Sequence, residues 1–209
     1  MNTNLQTNID KILYSDYSKA EKFSQLKNLF SDKEIIFSDF DDTITPKNTM
    51  FFAKIHSLRR FLRQKNEKIF PAVLPKIEIN SEFLKLRKEK DFSSPIVIIS
   101  RNDHEFIKYF IQKSKDIFDK LGIEIIWWIG NQIRYPNWTF FMKSEEKRNI
   151  IPDKKFFISD KYERKNYKNY EHFLSVDKGN KDISWTKEFF SKGRKFFLFI
   201  IKSAFKKTR

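Results

Sequence analysis

Hydrophobic and polar positions fall into two rhythms along the chain, and the change from one to the other marks out its elements. Ile9, Leu13, Phe23, Leu26 and Phe30 recur at near-helical spacing between residues 8 and about 30, and Asp32 and Lys33 break the pattern. One or two helices are expected there, packing on the sheet. The next stretch is EIIFSDFDDTIT, residues 34 to 45, in which Ile35, Ile36 and Phe37 are apolar on both faces and predict a short buried strand. SEFLKLRKEK from Ser81 predicts a short helix, and Ile96-Val97-Ile98-Ile99 after Pro95 a second strand ending at Ser100. Asn102 with Glu105 three positions on predicts a capping box for a helix to about Lys120, which Gly122 stops. Ile123 to Ile129 predicts a third strand, residues 143 to 150 a short helix, and Phe156 to Ser159 a fourth strand ending at Asp160. Phe173 to Val176 is the candidate fifth. Strands alternating with helices imply an α/β fold, a Rossmann-like parallel sheet with helices on both faces. No internal repeat is visible.

The division expected is an N-terminal helical segment over 1–33, a core over 34–45 and 81–180, an insertion over 46–80 and a C-terminal helix over 181–209. Charge sharpens that division. The formal net charge is +15. Residues 54 to 90 hold eleven Lys or Arg against four acids, and residues 178 to 209 hold ten against two, so the excess lies in the insertion and the tail. A hydrophobic content of 40% supports a packed core, and the absence of cysteine excludes disulfides and thiolate metal sites. The first residues show no apolar signal region, and no run of roughly 18 apolar residues offers a spanning helix. A cytoplasmic protein is the expectation.

The first strand delivers Asp39, Asp41, Asp42 and Thr43 at its C-terminal end, where open α/β sheets build their sites. In an extended chain Asp39 and Asp41 point to the same side. Such a pair repels unless a cation or a shared proton relieves it, so the pattern asks for a metal. His56, His104 and His172 show no metal-ligand spacing and are read as structural or surface residues. Trp127 and Trp128, on alternate faces of a strand, are read as core and interface packing.

Taken in order, DFDDTIT, the apolar strand IVIIS, Lys143 and FFISDKYE resemble the four motifs of the haloacid dehalogenase-like (HAD) superfamily over residues 34 to about 177. The resemblance implies that Asp39 attacks phosphorus to form an aspartyl-phosphate and that Asp41 acts as general acid and then base. It implies Mg2+ held by Asp39, the Asp41 backbone carbonyl and Asp160. Ser100 and Lys143 would bind phosphoryl oxygens, with Arg101 as a further phosphate contact or a solvated side chain. Lys147, one helical turn on, competes with Lys143, which is preferred for its place at the helix start. Glu163 is either a supporting partner of the metal or a surface acid; Asp42 is read as capping the turn, and Thr43 as stiffening it by hydrogen bonding. The fourth motif departs from its commoner forms, because Ser159 precedes Asp160 and no aspartate comes at the usual offset, which bears on metal affinity.

The insertion falls where the family places a cap; Arg59, Arg60, Arg63 and Lys65 are its candidates for an anionic substrate. In the tail, Trp185, Phe189, Phe196, Ile200 and Ala204 share a helical stripe, so residues 185–209 either dock on the core or contact anionic membrane peripherally. The function expected is a magnesium-dependent phosphatase acting on a phosphorylated small molecule. The alternatives are a phosphotransferase, or a weakly catalytic scaffold that binds nucleic acid through the basic cap, or membrane.

Overall fold

The computed structural model describes residues 3–45, 78–134, 137–140 and 142–177. Its centre is a six-stranded sheet of β1 (Ile36–Ser38), β2 (Ile96–Asp103), β3 (Ile125–Arg134), β4 (Asn137–Phe140), β5 (Phe157–Asp160) and β6 (Phe173–Val176), in the order β4-β3-β2-β1-β5-β6. Every neighbouring pair is parallel except β3 with β4. The fold is α/β and Rossmann-like. The chain fills the sheet outward from β1 in one direction and then returns to its other side, so the strand order reverses at the β1–β5 crevice. That switch point is where such sheets open a binding cleft.

Period-two alternation puts each strand's apolar residues on both faces, and each face has its own helices. Phe37, Val97, Ile99, Trp127, Ile129 and Phe157 pack with Ile9, Leu13, Phe23, Leu26 and Phe30 of α1 (Thr3–Tyr14) and α2 (Lys19–Phe30). Ile36, Ile96, Ile98, Trp128 and Ile158 pack with Phe83 of α3 (Ser81–Glu89) and with Phe106, Phe110 and Phe118 of α4 (His104–Lys120). Trp127 and Trp128 are thus both core residues, on opposite faces. Ser18 starts α2 with a capping box completed by Glu21. At Trp128 β3 pairs with β2 on one edge only, and on the other the Gln6 side chain stands in for a strand. Trp128 N–H donates to Gln6 Oε1 at 3.2 Å, and Gln6 Nε2 donates to the Trp128 carbonyl at 3.4 Å.

Three local expectations change. β2 runs on to Asp103 and α4 begins at His104, so Asn102 is not the helix cap. β3 continues to Arg134 and turns back as the antiparallel β4, a hairpin that apolar periodicity did not signal. The helix expected over 143–150 is a short 3-10 helix, Glu145–Asn149.

The expected cap helix, with Arg59, Arg60, Arg63 and Lys65, and the basic aromatic C-terminal helix lie outside the described residues. Asn80, the last residue of the expected insertion, is tied to the core. Its side chain caps α3 by accepting the Glu82 N–H at 3.0 Å, its N–H donates to the Ile44 carbonyl at 2.8 Å, and its Nδ2 donates to the Asp177 carbonyl at 2.9 Å. No helix among the described residues is long and apolar enough to cross a membrane.

Candidate active site

Strand register brings the expected residues to one edge. Ser38 lies beside Ile98 of β2 and Ile158 of β5, so Ser100 and Asp160, each two residues further, flank the point where the chain leaves β1. Asp39 N–H donates to the Ile158 carbonyl at 2.8 Å, which fixes the Asp39 backbone against β5. After Asp39 the chain makes a single wide turn, Phe40–Ile44, closed by Thr45 N–H and Thr45 Oγ1 on the Phe40 carbonyl, at 3.1 and 3.0 Å. Phe40 and Ile44 anchor this turn in the core, and Asp42 sits in the left-handed region at φ 56°. Asp39 and Asp41 thus sit at the start of a turn and not along an extended strand, close enough for the charge of Asp39 to act on Asp41. The threonine that ties the turn is Thr45, whereas the Thr43 hydroxyl, expected to do so, is buried without a hydrogen-bond partner.

Asp39 is buried, and its Oδ1 accepts the Phe40 N–H at 2.8 Å. Its Oδ2 meets a lysine, and that lysine is Lys147. Lys147 Nζ lies 2.8 Å from Asp39 Oδ2 and 3.0 Å from each oxygen of Glu163, with its side chain 1% exposed. Lys143 is exposed; its backbone N–H donates to Glu146 Oε2 at 2.7 Å and its carbonyl accepts the Glu146 N–H at 3.2 Å. Of the two lysines weighed in the sequence, it is Lys147 and not the preferred Lys143 that meets Asp39. The cause is local: the helix starts at Glu145, so its inward face falls on Lys147.

Glu163 is buried too. Besides Lys147 it accepts from Ser159 Oγ at 3.0 Å and from Ser144 Oγ, and Ser159 Oγ also stands 3.4 Å from Asp39 Oδ2. Ser159, notable in the sequence only as a departure from pattern, thus links Asp39 to Glu163. Neither Ser144 nor Ser159 announces this role in the sequence. Asp160 is 8% exposed, and its Oδ1 accepts the Tyr162 N–H at 2.8 Å. Ser100 is fully buried, its Oγ accepting the Asn102 N–H at 3.1 Å. The Arg101 side chain is exposed, while its carbonyl accepts from Asn131 Nδ2 at 2.7 Å. Asn102 itself is a site residue that the sequence did not reveal: its Nδ2 donates to Asp41 Oδ2 at 2.6 Å.

The electrostatics divide these carboxyls. Burial raises the Asp41 carboxyl, the charge of Asp39 raises it further, and together they carry it to about 7 despite the Asn102 bond. Burial likewise raises Asp39, to about 6, against the pull of Lys147. Burial works against the charge on Lys147, but Asp39 and Glu163 more than offset it and hold the ammonium above its ordinary range. Glu163 is also penalised by burial, yet Lys147 and the two serine hydroxyls keep it below the usual carboxylate range. An ionised Lys147–Glu163 pair thus stands behind Asp39, and a carboxyl that holds its proton to near neutrality stands opposite.

Among the described residues no three acidic or histidine side chains gather into a metal cage. Magnesium at a phosphoryl-transfer site takes only one or two carboxylates, with waters and phosphate oxygens completing its shell. Asp39, Asp160 and the Asp41 carbonyl are all hard oxygen donors, and strand register brings Asp39 and Asp160 to the same sheet edge. The donor set fits that ion.

No protein-family model matches the chain, and no curated protein matches it. Among solved structures it is similar to the HAD domain of the effector protein Lem4 from Legionella pneumophila, at 17% identity over 76% of this chain and 93% of that one, with a TM-score of 0.38. An inactive mutant of that domain gives 16% identity over 76% and 92%, with a TM-score of 0.38. A cytosolic 5'-nucleotidase IIIB bound to cytidine gives 10% identity over 81% and 82%, with a TM-score of 0.32.

Proposed function

We propose that the chain is a HAD-like phosphatase that cleaves phosphate monoesters of small molecules through an aspartyl-phosphate on Asp39. The observation that carries this reading is the buried Asp39–Lys147–Glu163 array facing Asp41. Asp39, held by Lys147 and the Phe40 N–H, is the nucleophile. One of its oxygens bonds to phosphorus as the bond from phosphorus to the leaving oxygen breaks, and the Asp41 proton passes to that oxygen, releasing an alcohol. Asp41, now a carboxylate, takes a proton from a water that attacks the same phosphorus. Phosphate leaves and the Asp39 carboxylate is restored. Lys147, from the short helix ahead of β5, and the Ser100 hydroxyl, from β2, would meet the phosphoryl oxygens as charge spreads over them. Magnesium, held by Asp39, Asp160 and the Asp41 carbonyl, would supply the positive charge that lets an anionic ester approach an anionic nucleophile.

The test is hydrolysis of 4-nitrophenyl phosphate by the full chain, with magnesium and with a chelator, beside Asp39→Asn. Turnover that needs both magnesium and Asp39 is the expected result. Turnover that survives Asp39→Asn would overturn the covalent route.

A further inference from the structure

Asp41 presents its two oxygens unequally. Oδ2 accepts the Asn102 amide at 2.6 Å, whereas Oδ1 is buried and has no hydrogen-bond partner. Oδ2 thus has one of its lone pairs taken by the Asn102 amide, whereas Oδ1 has both free, which makes Oδ1 the oxygen open to exchange a proton with an incoming group. Asn102 in turn is set from several sides. Its N–H donates to Ser100 Oγ at 3.1 Å, and the carbonyl before it is bound by Asn131 Nδ2 at 2.7 Å. Behind it Gly130 passes so close that a Cβ there would lie 2.7 Å from the Asn102 carbonyl oxygen and from His104 Cα. Gly130 N–H donates to His104 Nδ1 at 3.2 Å, which leaves the other ring nitrogen, Nε2, to donate to Asp10 Oδ1 at 3.1 Å. This lattice fixes the backbone from Ser100 to His104, and Asn102 reaches from it across the strand edge to Asp41.

We infer that Asn102 is a positioning residue for leaving-group protonation: by occupying Asp41 Oδ2 it turns Oδ1, with its proton, toward the oxygen that departs from phosphorus. The inference rests on the phosphatase reading and assigns a role within it. The proton moves from Oδ1 to the leaving oxygen as the phosphorus–oxygen bond breaks, and the carboxylate so formed keeps the Asn102 bond at Oδ2. A residue with this role matters in proportion to how much the leaving group needs a proton. A residue that merely braces the fold affects every substrate alike.

The experiment compares 4-nitrophenyl phosphate, whose phenolate leaves readily without a proton, with phenyl phosphate, similar in shape but a poorer leaving group. Full-length protein is assayed with magnesium as wild type, as Asn102→Ala and as Asn102→Leu, which keeps nearly the same volume without the donor; thermal melts verify folding. The expected result is a loss in kcat/KM of about 100-fold on phenyl phosphate but only a few-fold on the nitrophenyl ester. Asp41→Asn should show the same preference, and adding Asn102→Ala to it should cost little more. Parallel losses on both esters, or none on either, would overturn the role of Asn102 while leaving the phosphatase reading intact. A wild-type protein that cleaves neither ester would remove that reading, and the inference with it.

Discussion

Lys147 Nζ stands 2.8 Å from Asp39 Oδ2 although the two residues lie far apart in the sequence, one at the end of β1 and one on a short helix ahead of β5. Removing it leaves the carboxylates of Asp39 and Glu163 facing each other without their shared cation. Lys147→Ala should therefore lower kcat by about 100-fold or more and cost about 3–5 kcal/mol of stability. Lys143→Ala should leave both nearly unchanged. Steady-state kinetics and urea unfolding of the two variants, side by side, check this.

The same pair shows where sequence patterns stop being informative. Both lysines occupy the stretch before the last strong strand, and a 3.6-residue period puts both on one face. The helix that forms starts at Glu145 and has three residues per turn, so the two separate in space. The strands themselves were legible because apolar runs as dense as Ile35-Ile36-Phe37 and Ile96 to Ile99 have no other stable use. With them came the placing of Asp39, Ser100 and Asp160 near one sheet edge, which strand register alone sets. Asn102, Ser144, Ser159 and Thr45 were not legible, since each does its work through a partner far away or across a turn whose shape no local pattern encodes.

Asp41 makes the metal-free protein sensitive to pH in an unusual direction. Its folded carboxyl titrates near 7, whereas an unfolded aspartate titrates near about 3.9. Between those values the folded state holds a proton that the unfolded state has released, so stability falls as pH rises from about 4 to about 7. In chelator, Asp41→Asn should be more stable than wild type at pH 8, by of order 1–2 kcal/mol once partial solvent access is allowed for. The gap should close toward pH 4. Thermal melts across that range give the sign directly.

Glu163 behaves oppositely. Its carboxylate is favoured in the fold, so its contribution is fully present above the ordinary glutamate range, near about 4.3, and fades as pH falls through its lowered folded value. Glu163→Gln should cost about 2 kcal/mol at pH 7, a difference that shrinks in acid. The same variant should weaken kcat more than KM, because it loosens Lys147 without touching a bound ester. Denaturant midpoints at pH 7 and pH 3.5, with kinetics at neutral pH, test both parts.

Gly130→Ala should be poorly tolerated for a steric reason. The new Cβ would meet backbone atoms of Asn102 and His104 at 2.7 to 2.8 Å, which no rotamer change can relieve. A loss of about 1–3 kcal/mol is expected, together with a fall in activity as β3 pushes the β2–α4 junction away from Asp41. Unchanged stability in a thermal melt would show that this junction yields more readily than its packing implies.

The Gln6 amide that completes the open edge of β3 also sets an order in time. Gln6 and Trp128 are 122 residues apart. A ribosome adding roughly 5–20 residues per second needs about 6 to 25 seconds to make the partner after making the amide. During that interval α1, α2, β1 and β2 are made in turn, all before the β3 edge on which Gln6 closes. The first helix of the chain is thus among the last parts to be secured, and nascent chains halted before residue 128 should expose it to protease while longer ones protect it.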